Sequence, residues 1–348
     1  MSAKLRHRIG FELELLAPRG SSRRTLAEAL ARECDGEVRP VWHHDSEPAP
    51  VPRLQGRFLH LTQGFEVVRG SGDLVCALVD DVTIVAELDP GAPAPRGWHR
   101  LLTDDARLLE LLARHSDPGG PLETALEGVA ALWGECVERI GHVRRLDVAG
   151  ATIALATPSG GERERPCEIV TPPLVTDHAE ALEELLTTAR SLGFTVPLEA
   201  AVHLHFDGAP FREPRAFANV VRLFGHWREP LRTLLATNPR CRRLAALPDE
   251  LIDAADADAS WDELRAAATR GGLTKFFDVN LTQVLRESPT RDTLEVRILP
   301  GTLSADEVTE RAELVENLLD RCCESTPFPS PPATFEAAVL ELRRLAAG

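Results

Sequence analysis

The amino-acid sequence predicts an α+β fold with an antiparallel sheet. Residues 8–16 and 198–207 alternate apolar and polar side chains with period two, which is the pattern of a strand with one buried face. The segment Ser-Gly-Gly at 159–161 lies between two strand-like runs and predicts a hairpin turn. Strand-like and helix-like segments come in groups, and this favours an antiparallel sheet over parallel βαβ units.

The strands are predicted from period-two alternation and from β-branched runs. In 8–16 the odd-numbered apolar residues point to one face, and Gly10, Glu12 and Glu14 point to the other. Two or three strands are expected within 57–88, where β-branched and apolar residues dominate. Further strands are expected near 150–157, 166–171, 198–207, 275–285 and 293–299.

The helices are predicted from apolar spacing and from capping residues. Leu26 and Leu30 lie one turn apart in a helix over 23–34, and Ser304 with Glu307 forms a capping box that starts a late helix. Asp177 is the expected N-cap of a helix over 177–192. The other helical segments are 103–115, 121–140, most of 214–270 and 334–346.

Composition limits the classes of function. The 348 residues hold 39 Lys+Arg and 54 Asp+Glu, a net charge of −15, which argues against general binding to nucleic acid or to an anionic membrane. No apolar segment approaches the length of a spanning helix, and no secretory signal follows the basic N-terminus. The seven scattered cysteines contain no CxxC and are expected to be reduced thiols. A cytoplasmic protein is therefore expected.

Four strands carry polar groups that suit a cation. Glu12-x-Glu14 puts two carboxylates on one strand face, where they repel each other unless a cation lies between them. His203-x-His205 puts two imidazoles on the polar side of another strand. Taken alone, the Glu pair is more often a solvated strand face, and the His pair is more often exposed or hydrogen-bonded histidines.

The other two signals are a carboxylate beside an arginine and a solitary acid. Glu295-x-Arg297 is either a plain ion pair or a metal-binding acid followed by a group that faces a phosphate. Glu168 is the acid of the apolar run CEIVTPPL, and it is either an edge-strand charge or a metal ligand. If one sheet carries all four motifs on one face, its carboxylates and imidazoles favour Mg²⁺ or Mn²⁺ over Zn²⁺.

Several catalytic motifs are missing from the sequence. It contains no Walker A motif, no GxGxxG after a strand and no GxSxG. If ATP binds, it therefore binds through metal ions and a sheet face.

The ordered motifs resemble the amidoligases, which are COOH–NH2 ligases of the glutamine synthetase and glutamate–cysteine ligase superfamily. The segments that carry the resemblance extend from residue 9 to about 320 and are IGFELEL (9–15), CEIVTPPL (167–174), VHLHFD (202–207), FFDVNL (276–281) and TLEVRILPGTLSADE (293–307). The resemblance implies a curved antiparallel sheet, a half-open barrel flanked by helices, with ATP and Mg²⁺ or Mn²⁺ in its funnel. It implies one ligase domain over 1–325 with a helical pair inserted at about 98–145, and a C-terminal helix at 326–348 packed on that domain.

The resemblance also implies a role for each motif. The metal ligands would be Glu12, Glu14, Glu168, His203, Glu295 and Asp81. His205 and Arg297 would approach ATP phosphate, Glu295 and Arg297 would carry the catalysis, and Asn280 matches a recurring asparagine placed beside the cofactor. The assignment of Asp81 departs from the family pattern, because about 86 residues separate it from Glu168. No second acid follows Glu168 within 169–176.

The implied activity is an ATP- and Mg²⁺-dependent ligase that joins a small-molecule or peptide carboxylate to an amine through an acyl phosphate. Three alternatives stay open: a nucleotide-binding relative without activity, a phosphotransferase on the same fold, and a metal-dependent amidohydrolase. The last is disfavoured because His226 is the only histidine after His205. A homo-oligomer is compatible with the sequence.

Overall fold

The computed structural model describes residues 4–44, 48–50, 55–289 and 291–347. The chain divides into two compact units. The first unit comprises Met1–Leu13, Thr171–Thr187 and Leu198–Gly348, and the second comprises Glu14–Val170 and Thr188–Pro197.

The described residues form thirteen strands and ten α-helices. The strands are β1 (Ile9–Leu16), β2 (Glu37–His44), β3 (Ala49–Pro50), β4 (Arg57–Val68), β5 (Leu74–Val79), β6 (His99–Thr103), β7 (Glu138–Ile140), β8 (Val143–Val148), β9 (Ala151–Pro158), β10 (Pro166–Val170), β11 (Ala201–Asp207), β12 (Val279–Asn280) and β13 (Thr293–Pro300). The helices are α1 (Arg23–Glu33), α2 (Ala106–His115), α3 (Glu127–Ala130), α4 (His178–Ser191), α5 (Pro214–His226), α6 (Arg228–Leu234), α7 (Asp249–Asp256), α8 (Trp261–Arg270), α9 (Ala305–Cys322) and α10 (Phe335–Leu345).

The first unit pairs four strands in the order β12-β13-β11-β1, all antiparallel. Their apolar faces supply buried residues such as Phe11, Leu204 and Val296. Helices α5 to α10 belong to this unit. Within it, Trp227 contacts Phe328 edge-on at 6.1 Å, and Asn317 Nδ2 donates to the Ala346 carbonyl at 2.7 Å next to the end of α10.

The second unit pairs its strands in the order β10-β5-β4-β6-β9-β8-β7, and β2 and β3 also pair with β4. One face of this sheet is apolar and is covered by α2 and α3, with Leu61, Leu101 and Leu146 at the centre of the packing. Directly opposite residues of antiparallel strands share a face. The other face therefore carries the polar residues of alternate positions, including Thr62 and Arg100.

The predicted α+β class with antiparallel strands is confirmed, whereas the half-open barrel and the single ligase domain stay predictions. The predicted helices over 23–34 and 214–270 are confirmed, and so is the start at Ser304, whose hydroxyl accepts from the Glu307 amide. None of the described helices is long and apolar enough to cross a membrane. All seven cysteines are free thiols.

The predicted helix over 121–140 is wrong. The segment holds a short 3-10 turn at Leu122–Thr124, the one-turn helix α3 and the edge strand β7. Gly134 has φ +67°, a left-handed conformation that ends a helix and that glycine adopts without strain. The region predicted as an inserted helical pair therefore contains α2, a single turn and strands.

The hairpin predicted around 159–161 is also wrong. β9 pairs with β6 and β8, whereas β10 pairs with β5, so the two strands that flank Ser-Gly-Gly are not neighbours. The glycines instead pack against a preceding loop, where the Gly161 amide donates to the Ala92 carbonyl at 2.9 Å. The predicted strand over 275–285 shortens to β12, because the Asn280 side chain turns the chain by accepting from the Thr282 amide.

Candidate functional site

Strand register in the first unit brings the ExE, HxH and ExR motifs together. Glu12 of β1 lies opposite His203 of β11, and His205 lies opposite Glu295 of β13. Asn280 of β12 lies opposite Glu295 on the other flank of β13. The polar residues of these strands therefore share one face, as the period-two pattern predicts.

A shift in the pairing of β11 with β13 changes the direction of the β13 side chains at this face. Pairing moves by one residue between Val202 and Leu204, so both Arg297 and Ile298 lie opposite His203. Such a bulge bends the strand and changes where its side chains point. It lies at the arginine that the sequence assigns to phosphate.

Glu12 holds both imidazoles. Its Oε2 lies 2.9 Å from His203 Nδ1, and its Oε1 lies 3.0 Å from His205 Nε2. Burial acts to raise the pKa of Glu12, but the charge on His205 and the hydrogen bonds from both imidazoles hold it well below its usual range. The same pairing raises the pKa of His205 even though burial opposes this shift.

Glu295 is fixed by its neighbours on both sides. Asn280 Nδ2 donates to its Oε2 at 2.7 Å, and Arg297 Nη1 donates to its Oε1. Burial acts to raise the pKa of Glu295, and the charge of Arg297 more than offsets it, so the net shift is downward. Asn280 also accepts from the Thr282 hydroxyl at 2.7 Å, which locks the amide in this orientation.

The geometry fits a bound cation. One ligand atom each from Glu12, His205 and Glu295 lie within 4.8 Å of one another. His205 Nε2 is buried and lies 3.0 Å from Glu12 Oε1. Two ionised carboxylates and an imidazole nitrogen are a suitable ligand set for Mg²⁺ or Mn²⁺.

Sequence reasoning missed several charged residues near this face. Arg291 Nη1 lies 3.9 Å from Glu12 Oε1. Lys275 stacks on Phe276 with Nζ 5.4 Å from the ring centroid, and burial together with the charge of Arg297 lowers its pKa. Lys275 precedes β12 in a segment without periodicity, so the sequence contained no signal that would place it here.

Asp278 is a second missed residue, and its role is structural. It is buried and paired with Arg228 at 2.8 Å and with Arg232 at 2.8 Å, both on α6. Its backbone carbonyl accepts from the Arg297 amide at 3.1 Å. The Asp278 pairs therefore tie the segment before β12 to α6 and support Arg297.

The second unit holds the remaining predicted residues. The Ala17 amide donates to the Arg165 carbonyl at 2.9 Å, and continuing this antiparallel register places Glu14 opposite Glu168. Glu14 is buried and Glu168 is half-buried. Asp81 lies two residues beyond Val79, the partner of Glu168, and its carboxylate accepts from the amide and hydroxyl of Thr83 at 2.8 and 2.6 Å.

Comparison with known proteins gives one match. A family model described as "Putative amidoligase enzyme" matches residues 5–319, which is far more than half of the chain. Searches of curated proteins and of solved structures returned no significant match. The match spans the strands that carry Glu12, Glu168, His203 and Glu295. The chain therefore belongs to the amidoligase family.

Proposed function

We propose that this protein is an ATP- and Mg²⁺-dependent ligase that joins a carboxylate to an amine. Membership of the amidoligase family indicates a ligase. The observation that carries the finer proposal is the buried convergence of Glu12, His205 and Glu295 with Arg297 directly beside them. A cation site next to a guanidinium suits a phosphate that must be both held and neutralised.

The proposal assigns metal ligands in each unit. In the first unit Glu12, His205 and Glu295 would hold Mg²⁺ or Mn²⁺. His203 Nδ1 lies 2.9 Å from Glu12 Oε2 and 3.6 Å from Glu295 Oε1, so His203 would be a further ligand of this cation. In the second unit Glu14 and Glu168 face each other across neighbouring strands, and Asp81 follows β5; these three would hold metal as well. Bound Mg²⁺ would neutralise negative charge on the phosphate oxygens.

The chain's own residues would orient and stabilise the reacting groups. Arg297 would face the transferred phosphate while it stays hydrogen-bonded to Glu295. Asn280 would keep the Glu295 carboxylate turned toward the face, and its predicted contact with the cofactor stays a prediction. The protein's part in such a transfer is chiefly positioning and charge stabilisation.

The proposed chemistry balances in two steps. The substrate carboxylate attacks the terminal phosphate of ATP and releases ADP, which gives an acyl phosphate. The amine then attacks the acyl carbon, phosphate leaves, and the nitrogen loses a proton to form the amide. The acid substrate would be a small molecule or a peptide.

A phosphate-release screen tests the proposal. Amino acids, simple carboxylic acids and short peptides are incubated with ATP and Mg²⁺, and phosphate, ADP and amide product are measured. Release of ADP and phosphate only when acid and amine are both present supports the ligase. Amide cleavage without ATP would indicate a hydrolase, phosphate transfer without an amide a phosphotransferase, and ATP binding with no turnover a binding protein.

Glu295→Gln gives the matched test at the site. We expect turnover to fall by about 100-fold or more, because the variant removes a negative charge that the bound cation needs. Glu110→Gln is the control, since Glu110 is an exposed acid of α2. Full activity of Glu295→Gln, in a protein with an unchanged melting temperature, would contradict the proposal that Glu295 holds a metal ion on this face of the sheet.

A further inference from the structure

Lysine is scarce in this chain, and one of its two lysines lies beside the candidate site. The sequence holds 37 Arg and only two Lys, Lys4 and Lys275. Lys4 is exposed, whereas Lys275 is half-buried in the segment that precedes β12. An arginine in a protein keeps its proton, but a lysine can lose its proton and then act as a base. The position beside the site therefore carries the one type of cation that can become a base.

Backbone hydrogen bonds hold the segment that carries Lys275. The Ala245 amide donates to the Phe276 carbonyl at 3.0 Å, and the Asp278 amide donates to the Ala245 carbonyl at 3.0 Å. The same segment is joined to β13, because the Arg297 amide donates to the Asp278 carbonyl at 3.1 Å. The backbone next to Lys275 is therefore fixed on one side by the segment before α7 and on the other by β13.

The ammonium group of Lys275 makes no hydrogen bond or ion pair with any other residue that the structure describes. Its Nζ lies over the Phe276 ring, 5.4 Å from the centroid, and Arg243 Cζ lies 4.9 Å from the same centroid. A partly buried ammonium group without a carboxylate partner loses hydration that nothing in the protein replaces. The side chain is only half-buried, so a substrate can reach Nζ.

The charged groups around Lys275 favour its neutral form. Burial lowers the pKa of Lys275, and the charges of Arg297 and Arg243 lower it further. The charges of Glu295 and Glu12 oppose this shift, but the net direction is downward. Among these charges that of Arg297 acts most strongly, and Arg297 is the residue that would face the transferred phosphate. Lys275 therefore lies next to the place where the acyl phosphate would form.

We propose that Lys275 is the base that takes a proton from the attacking amine. The inference rests on the proposed function and adds to it the group that receives this proton. Nζ begins neutral, and the amine approaches as R–NH2. As the new C–N bond forms, Nζ takes one proton from the amine nitrogen. As the C–O bond to phosphate breaks, the same proton passes to the phosphate, which leaves as hydrogen phosphate and returns Lys275 to its neutral form.

Competitive labelling tests the state of Lys275 without any turnover. Acetic anhydride acetylates neutral amines, so the full-length protein is labelled with Mg²⁺ and without ATP over about pH 7 to 11. Mass spectrometry of peptides follows Lys275 and the exposed Lys4 in the same sample. The pH of half-maximal rate reports protonation and does not depend on how accessible each amine is. We expect Lys275 to reach its half-maximal rate at a lower pH than Lys4, and equal pH dependence of the two lysines would overturn the proposal.

Lys275→Arg separates a base from a simple positive charge. Hydroxylamine is a strong neutral nucleophile that captures an acyl phosphate as a hydroxamate without the help of a base. We expect Lys275→Arg to keep ADP and hydroxamate formation, while amide formation from an alkylamine falls by about 100-fold or more, the usual contribution of a general base. Lys275→Gln should show the same split. Lys4→Arg is the matched control, and it should change none of the three products.

Two results with folded Lys275→Arg, judged by an unchanged melting temperature, would overturn the proposal. One is full amide formation. The other is loss of ADP and hydroxamate together with the amide, because Lys275 would then act as a positive charge on the phosphate. Wild-type protein that forms neither ADP nor hydroxamate with any acid would overturn the proposed function and the role of Lys275 as its base together, and the labelling result would still report whether Lys275 is neutral.

Discussion

The buried Asp80–Arg163 pair in the second unit should be costly to break. Asp80 is 4% exposed and accepts two hydrogen bonds from one guanidinium. Removing one partner of a buried pair leaves an uncompensated charge, which typically destabilises a protein by about 3–5 kcal/mol. For Asp80→Asn we expect the lower part of this range at pH 7, because the amide oxygen still accepts one hydrogen bond.

The pH dependence of this stability difference follows from the lowered pKa of the Asp80 carboxyl group. Burial acts to raise the pKa of Asp80, but the charges of Arg163 and Arg23 lower it further, so its folded pKa lies below its usual value of 3.8. A depressed folded pKa gives stability that is present above the unfolded pKa and is lost as the pH falls through the folded pKa. The difference between wild type and Asp80→Asn should therefore be constant from pH 5 to 8 and shrink in acid below about pH 4.

Urea unfolding measures this difference, and hydrogen exchange of the β5 amides localises it to the second unit. Asp105→Asn is the control: Asp105 also pairs with an arginine, Arg107, but the pair is exposed and asparagine still caps α2. We expect no resolved change in the unfolding midpoint of that variant. An unfolding free energy of Asp80→Asn within about 0.5 kcal/mol of wild type at pH 7 would refute the reasoning.

Two further predictions concern the site and the thiols. Asn280→Ala should lower metal-dependent turnover by about 10- to 100-fold without unfolding the protein, because Asn280 orients the Glu295 carboxylate. Unchanged metal affinity and turnover would contradict that role. In native protein at pH 8, iodoacetamide should modify the exposed Cys136 first and buried Cys76 not at all, as mass spectrometry of peptides would show. Cys323 should react slowly, because burial and the charge of Asp320 raise its pKa to about 11; labelling as fast as Cys136 would contradict this.

The sequence predicted which side chains share a strand face better than it predicted which strands pair with each other. Period-two alternation is local, so the shared side of Glu12 and Glu14, or of His203 and His205, could be inferred directly. The pairing of Glu12 with His203 depends on the register between β1 and β11. The hydrophobic pattern and the turns determine that register only once it is known which strands pair. The failed hairpin at 159–161 shows the limit, since two strands adjacent in sequence found partners elsewhere.

Helix prediction failed where glycine conformation decided the outcome. Apolar spacing over 121–140 is compatible with a helix, but Gly134 adopts a left-handed conformation with φ +67°. A single sequence shows that a glycine is present and does not show which conformation it takes. Lys275 carries no periodic signal of its position beside the site for a similar reason, because only packing reveals what surrounds it.

The contrast between Arg163 and Arg100 shows why a count of charges does not predict how an arginine is paired. Both guanidinium groups lie near the buried carboxylate of Asp80, but both of its oxygens accept hydrogen bonds from Arg163. Arg163 takes Asp80 and two backbone carbonyls, so its donors are matched inside the protein. Arg100 keeps its charge at the polar face and lacks an acceptor for Nε among the described residues. In a chain of net charge −15, the pairing of a guanidinium group therefore depends on which acceptors its strand position brings within reach and not on the number of acids.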